Sequence, residues 1–341
     1  MKNVLFTTTA VAALAIGGTA FAAGHASGNF GISGSTDVGY NDDIEGGIFQ
    51  ETNVDIKASK DAGNGYTISG HARLNLDWYE GTGESTNVEF KNIAVDTPVG
   101  KLEYADSFDG TGASDSFYKD RDGMAEDMSN GDGHAGLKWS GDFGEFGYAI
   151  DAGNLDGSST VNAGDHFTLG AGGSFGAATV GLGFENNSHE GDGTVTGVSA
   201  DFDLGGFDVG ASYITSDVET SIGVAASTEI TAGLTVGAYY ATNDNAGDAY
   251  GVTLDYTMDA LTVAVDWDDN GTTTNTEIDV SYDMGNGVVG YVGWDEADGA
   301  YVGAEVDVAD GIKATIAYAE ANEIGGPEFK DGTSAYLSLT Y

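Results

Sequence analysis

Between Gly65 and Glu80 the chain reads GYTISGHARLNLDWYE, and its residues fall into two interleaved sets. Tyr66, Ile68, Gly70, Ala72, Leu74, Leu76 and Trp78 form one set; Thr67, Ser69, His71, Arg73, Asn75, Asp77 and Tyr79 form the other. Successive side chains of a strand point to opposite faces, so the spacing predicts one long strand with an apolar and a polar side. The same alternation recurs to the last residue. It predicts strands at Phe30–Tyr40, Ile48–Ser59, Asn87–Val95 and Lys101–Ala105, then in pairs across short turns such as SFGA, LGG, MGNG and ADG. The other connections are longer and acidic or polar, for example NLDGSSTVNAGD, NNSHEGDGT and EANEIGGPEFKDGT. About twenty strands are counted, an even number between 16 and 20 being compatible with the residues, since boundaries read from one sequence shift by a few residues. No stretch after the first 22 residues repeats apolar positions at helical spacing.

Those first 22 residues have the pattern of an export signal. Lys2 gives the positive start, Val4–Ile16 is rich in apolar residues, and Ala20-Phe21-Ala22 is a small-x-small cleavage site. The expected domains are therefore a signal peptide over 1–22 and a single β domain over 23–341. No later stretch reaches the ~18 apolar residues of a spanning helix. A mature chain lodged in a membrane would have to be a closed β-barrel, the one strand architecture that satisfies every backbone group there. Alternating short turns and long loops is the mark of a meander barrel in a bacterial outer membrane.

Charge narrows the partners. With 55 Asp and Glu against 11 Lys and Arg, the formal charge is −44, which excludes nucleic acid as an expected partner because phosphate binding needs basic residues. The 36 Phe, Tyr and Trp residues, spaced along the strand-like segments, argue against disorder. There are 55 glycines, suited to tight turns and crowded walls, and only 2 prolines, which suits unbroken ladders. Cysteine is absent, so no disulfide or thiolate metal site is available. Aromatic residues gather near strand ends, at Trp78, Tyr79, Tyr239, Tyr240, Trp267 and Trp294, where interfacial girdles would lie.

The signal ending AFA, hairpins such as GAGGSFGAATVGLGFE, a long segment after the fifth strand and the terminal strand SAYLSLTY resemble the general-diffusion porins of Rhodobacter-type alphaproteobacteria. Such barrels usually end in Phe; here Tyr341 stands in that place, with Leu339 and Leu337 on its face. The resemblance implies an all-β transmembrane antiparallel meander barrel of 16 strands. It also implies an outer-membrane location amid lipid, a homotrimer, and passive diffusion of ions and small polar solutes. In such porins the third long loop folds into the lumen and narrows the pore. The corresponding segment here, about 106–133, carries Asp106, Asp109, Asp115, Asp120, Asp122, Glu126, Asp127 and Asp132 against Lys119 and Arg121. Lys57, Arg73, Lys91 and Lys101 fall on the polar phase of nearby strands. If that phase faces the lumen, an acidic loop opposes a basic wall, and acidic rings favour cations. The alternative is a solvated rim loop.

Asp266-Trp-Asp268-Asp-Asn270-Gly271, followed after five residues by Glu277, matches calcium-loop spacing, in which alternate oxygens converge on one ion. The flanks here are strands rather than helices, and in a chain so rich in Asp and Gly the other reading is an acidic outer loop. No nucleophile elbow, H-E-x-x-H or phosphate loop occurs. His71 lies on the polar phase near Asp77, and a pore-lining role is favoured over catalysis. No enzyme activity and no required cofactor are expected. The rival readings are an exported β-rich protein that binds calcium or another ligand, and an adhesin-type barrel with a plugged lumen.

Overall fold

The structure is a computed structural model that describes residues 28–80, 83–105, 113–114, 116–125, 128, 135–154, 166–187, 193–321, 324 and 329–341. The expected signal peptide and its cleavage site lie outside them. The described residues form twenty strands. The first five are β1 (Gly28–Asn41), β2 (Ile48–Gly63), β3 (Tyr66–Tyr79), β4 (Gly83–Thr97) and β5 (Gly100–Ala105). After the long third loop come β6 (Ala135–Phe143), β7 (Phe146–Asn154), β8 (His166–Phe175), β9 (Ala178–Asn187), β10 (Gly193–Asp203) and β11 (Phe207–Thr215). Then follow β12 (Thr220–Thr231), β13 (Leu234–Asn243), β14 (Ala249–Met258), β15 (Leu261–Asp269) and β16 (Thr274–Gly285). The last are β17 (Val288–Asp295), β18 (Gly299–Ala309), β19 (Ile312–Ala319) and β20 (Gly332–Thr340).

Each strand pairs with its sequence neighbour in one antiparallel sheet, and β20 pairs back on β1, with Ser35–Asn41 set against Ser334–Thr340. This is the connectivity of a closed meander barrel, which leaves no strand with an unpaired edge. The count of twenty agrees with the sequence reading. The sixteen implied by the resemblance is not what this chain forms, because every alternating segment is long enough to complete a ladder of its own.

The turns explain the pairing. In the hairpins β2–β3 and β16–β17 the central pairs Asn64-Gly65 and Asn286-Gly287 all have positive φ, at 56°, 80°, 57° and 75°. That is the twist-matched two-residue turn for which Asn-Gly is the strongest signal. Register is then held by the two-residue side-chain period, since a slip of one residue would turn every apolar group to the wrong face.

The chain divides into two compact units. One contains Met1–Lys91, Met258–Val263 and Glu277–Tyr341; the other contains Asn92–Thr257 and Ala264–Thr276. In the second unit the two faces of the sheet are sharply different. Ile150 and Leu169 are cross-strand partners on one face, as are Leu182, Val198, Tyr213 and Ile222 in succession. All six are large and all are exposed. An exposed continuous apolar face on a sheet with no edge is what a lipid-facing wall requires. The opposite face carries Asp151, Thr168, Glu185, Ser199 and Ser212, buried although polar. The first unit repeats the scheme: Val292, Val302, Ile316, Tyr318 and Leu337 are exposed, while Tyr301, Glu305 and Thr315 on the other face are buried.

Candidate functional site

What buries the polar face of the second unit is the third long loop. It crosses the wall strand by strand. The Ala113 backbone N–H donates to Asp151 Oδ2 at 2.6 Å and to Thr168 Oγ1 at 3.0 Å, and Thr168 itself donates to Asp151 at 2.8 Å, which ties the loop to β7 and β8. Further along, Lys119 N–H donates to Ser199 Oγ at 3.1 Å and the Ser212 hydroxyl donates to Lys119 O, reaching β10 and β11. Ala125 N–H donates to Asn243 Oδ1 at 2.9 Å, and Asn243 Nδ2 donates to Gly123 O at 3.0 Å, reaching β13. A loop laid on a wall must satisfy its backbone groups as a strand does. Here the inward side chains of the wall take the place of a ladder.

Room for the loop comes from glycine. A Cβ on Gly170 would overlap the carbonyl oxygen of Ala113, and one on Gly181 would overlap that of Phe117. The Phe117 ring lies over Gly147 and Gly172, the Tyr118 ring over Gly197, and the Arg121 side chain over Gly210 and Gly223. These glycines share the inward phase: Gly170 pairs with Gly183, Gly172 with Gly181, Gly183 with Gly197, and Gly210 with Asp201. Tyr118 and Met128 then close a cluster with Val195 and Ile214, flanked by Met124. Burying side chains of this size contributes about 1.5–3 kcal/mol each. The alternation of the strand makes the device possible, because glycine on one phase leaves Leu169, Leu182 and Val198 unchanged on the other.

Of the acidic loop residues expected at a constriction, Asp120 and Asp122 are described. Asp106, Asp109, Asp115, Glu126, Asp127 and Asp132 lie outside the described residues. Asp122 of the loop and the wall carboxylates Asp255 and Asp268 are all close enough to Asp266 to interact with it electrostatically. The hydroxyl of Tyr239 lies in the field of Asp268, Asp266 and Asp122. The loop's two cations turn to another carboxylate: Arg121 Nη2 donates to Asp201 Oδ1 at 2.8 Å, and Lys119 Nζ stands 3.9 Å from Asp201. A cavity of about 560 Å³ lies here between loop and wall, lined by Lys119, Arg121, Asp122, Asp201, Asp208 and Tyr239 among others.

The basic wall residues are placed on the polar face with carboxylates beside them. Arg73 donates through Nε and Nη2 to the two oxygens of Asp55, at 2.9 and 3.2 Å, and His71 Nε2 lies 2.7 Å from the same group. Lys91 lies 2.5 Å from Glu89 and Lys101 2.7 Å from Glu103. Lys57 is exposed and opposite His71 in register. Three of the four cations are thus neutralised on the wall itself. Sequence spacing could have shown the pairs two residues apart, Glu89 with Lys91 and Lys101 with Glu103. The Asp55–Arg73 pair depends on the β2–β3 register.

The calcium-spaced residues do not form a loop. Asp266 and Asp268 lie on β15, Glu277 lies on β16 opposite Asp295, and Asn270 sits in the turn between. Asn270 Oδ1 accepts the backbone N–H groups of Thr272 and Thr273 at 3.1 and 3.0 Å and the Thr272 hydroxyl at 2.7 Å, so that oxygen closes the turn. Among the described residues no group of three or more Asp, Glu, His and Cys is placed to hold a metal. The glycine lane and Asn243 were not singled out by the sequence reading. The signal for the glycines was present in GAGGSFGAATVGLGFE, where glycine recurs on one phase of two paired strands.

Among solved structures the chain is similar to a mutant of Rh. blastica porin at 17% identity and a TM-score of 0.43, covering 92% of this chain and 100% of the other. A triple mutant of Rhodopseudomonas blastica porin gives 17% identity and a TM-score of 0.42 with the same coverage. No curated protein sequence matches the chain significantly. The family model described as Gram-negative porin matches residues 7–341, nearly the whole chain. With that match, the chain belongs to the Gram-negative porin family and is a passive diffusion channel of the outer membrane.

Proposed function

We propose that this channel is cation-selective, that its narrow passage is set by the third long loop, and that it acts as a non-enzymatic pore for ions and small polar solutes with no cofactor. The observation that carries the reading is the charge left facing water once the loop has docked. Arg121 is paired with Asp201 and Lys119 stands near the same carboxylate, whereas Asp122, Asp255 and Asp268 act on Asp266 with no cation among the groups acting on it. Acidic side chains clustered along a pore raise the local concentration of cations. Assembly as a homotrimer and export with cleavage after Ala22 are the companion readings. They rest on the family and on the small-x-small site.

Planar-bilayer recording of the refolded mature chain tests the proposal. In a potassium chloride gradient the reversal potential is expected to show preference for potassium. The preference should be strong near 0.1 M salt and weak near 1 M, as the screening length falls from about 10 Å to about 3 Å. A reversal potential favouring chloride would overturn the selectivity. A folded barrel without conductance would overturn the open pore.

A further inference from the structure

Among the described residues of the connection between β19 and β20, Ile324, Phe329 and Lys330 also pack on the polar face of the sheet. Ile324 and Phe329 pair as an isolated antiparallel bridge and are buried, Phe329 completely. The Phe329 ring stands 5.8 Å from that of Tyr291 and 5.7 Å from that of Tyr301, centroid to centroid. It lies directly over Gly303, where a Cβ would overlap it, and Ala317 and Ala319 join the same cluster. Val302, Ile316 and Tyr318, the neighbours of these residues in sequence, are exposed on the other face. Small residues on the inward phase thus make a socket for Phe329, as glycines do for the third loop. With Phe329 seated, the next residue is fixed. Lys330 Nζ donates to both oxygens of Glu51 at 2.9 Å and lies 5.3 Å from the centre of the Phe49 ring. Glu51 also accepts from the Tyr79 hydroxyl at 2.7 Å, and both Glu51 and Lys330 act electrostatically on Asp37. Asn41 Nδ2 donates to Asp331 O at 2.7 Å and holds the far end of the segment.

We infer that Phe329–Asp331, at the end of the β19–β20 connection, is a second pore-lining segment and that Lys330, delivered to the wall by the Phe329 socket, determines specificity by cancelling the charge of Glu51 beside Asp37. The inference rests on the reading of the polar face as the lining of a conducting pore. In a chain with 55 acidic and 11 basic residues, each cation held against a wall carboxylate limits how far cation preference can rise.

The test is the potassium-to-chloride permeability ratio of refolded K330Q, E51Q and the double variant, each shown to be folded by heat-modifiable migration. K330Q is expected to raise the ratio by about two-fold, because one elementary charge about 10 Å from the path, screened over about 10 Å near 0.1 M salt, raises potassium and lowers chloride by about 1.3-fold each. E51Q should lower it by a similar factor, and the double variant should return it close to that of the unaltered protein. A ratio unmoved in K330Q and E51Q, in a protein that conducts, would overturn this inference and leave the porin reading intact. An unaltered protein that forms no channels would overturn the porin reading first.

Discussion

Valine in place of Gly181 will release the third long loop from the wall and raise single-channel conductance while the barrel still folds. Gly181 faces the carbonyl oxygen of Phe117 so closely that even a Cβ would overlap it, and the Ser199 hydroxyl lies 2.8 Å from the same position. Either the strand or the loop must move. The strand is held by ladders on both sides, to β8 and to β10. The loop is held by scattered side-chain bonds and the Tyr118–Met128 cluster. Overpacking in a fitted contact costs typically about 1–3 kcal/mol, and the less cooperative partner gives way. Measured in bilayers, the variant should show larger unitary steps, with the heat-modifiable band of a folded barrel retained. Steps of unchanged size would mean that the loop does not set the passage. Gly144, in the turn between β6 and β7, has open space around its Cβ position, though its φ of +68° makes it a poor control; Gly31 has both open space and ordinary backbone, and its alanine variant should leave conductance unchanged.

The second large effect is on selectivity. Neutralising Asp122, Asp266 and Asp268 together as D122N, D266N and D268N should lower the potassium-to-chloride permeability ratio by about an order of magnitude, at about two-fold per charge about 10 Å from the path. Asparagine keeps the size and polarity of each side chain, so conductance in high salt should change little. The D201N variant should act in the same direction by a different route. It frees Arg121 and Lys119 from their shared carboxylate and also lowers cation preference, from a site on β10 rather than β15. A triple variant with unaltered reversal potential would place the selectivity elsewhere.

The strands were legible because alternation is a local property. Tyr66–Tyr79 can be read from its own sixteen-residue neighbourhood, and so can the Asn-Gly turns that join β2 to β3 and β16 to β17. The number of strands was legible in the same way, whereas the resemblance pulled it towards sixteen. The site was less so. Whether Arg73 is free or spent depends on Asp55, eighteen residues earlier, which meets it only through the β2–β3 register. The calcium spacing around Asp266 gave a linear match, but a strand sends Asp266 and Asp268 to one face and leaves Asn270 to close a turn. The glycines of the wall carried a phase that composition hides. Gly170, Gly172, Gly181 and Gly183 read as turn or packing residues until the loop is seen lying on them. Phe329 and Lys330 gave no signal at all, since a socket made of Gly303, Ala317 and Ala319 exists only after β18 and β19 have paired.

A third loop lying in the conducting path can be blocked from its own surface, and the absence of cysteine from the chain allows a direct test. A single thiol introduced as D122C can be modified during recording with a bulky, water-soluble, positively charged thiol reagent. Modification should cause a stepwise fall in the current of each open channel, with reduced preference for potassium, while the cysteine-free protein is unaffected. Complete modification confirmed by mass, with unitary current and reversal potential both unchanged, would contradict it.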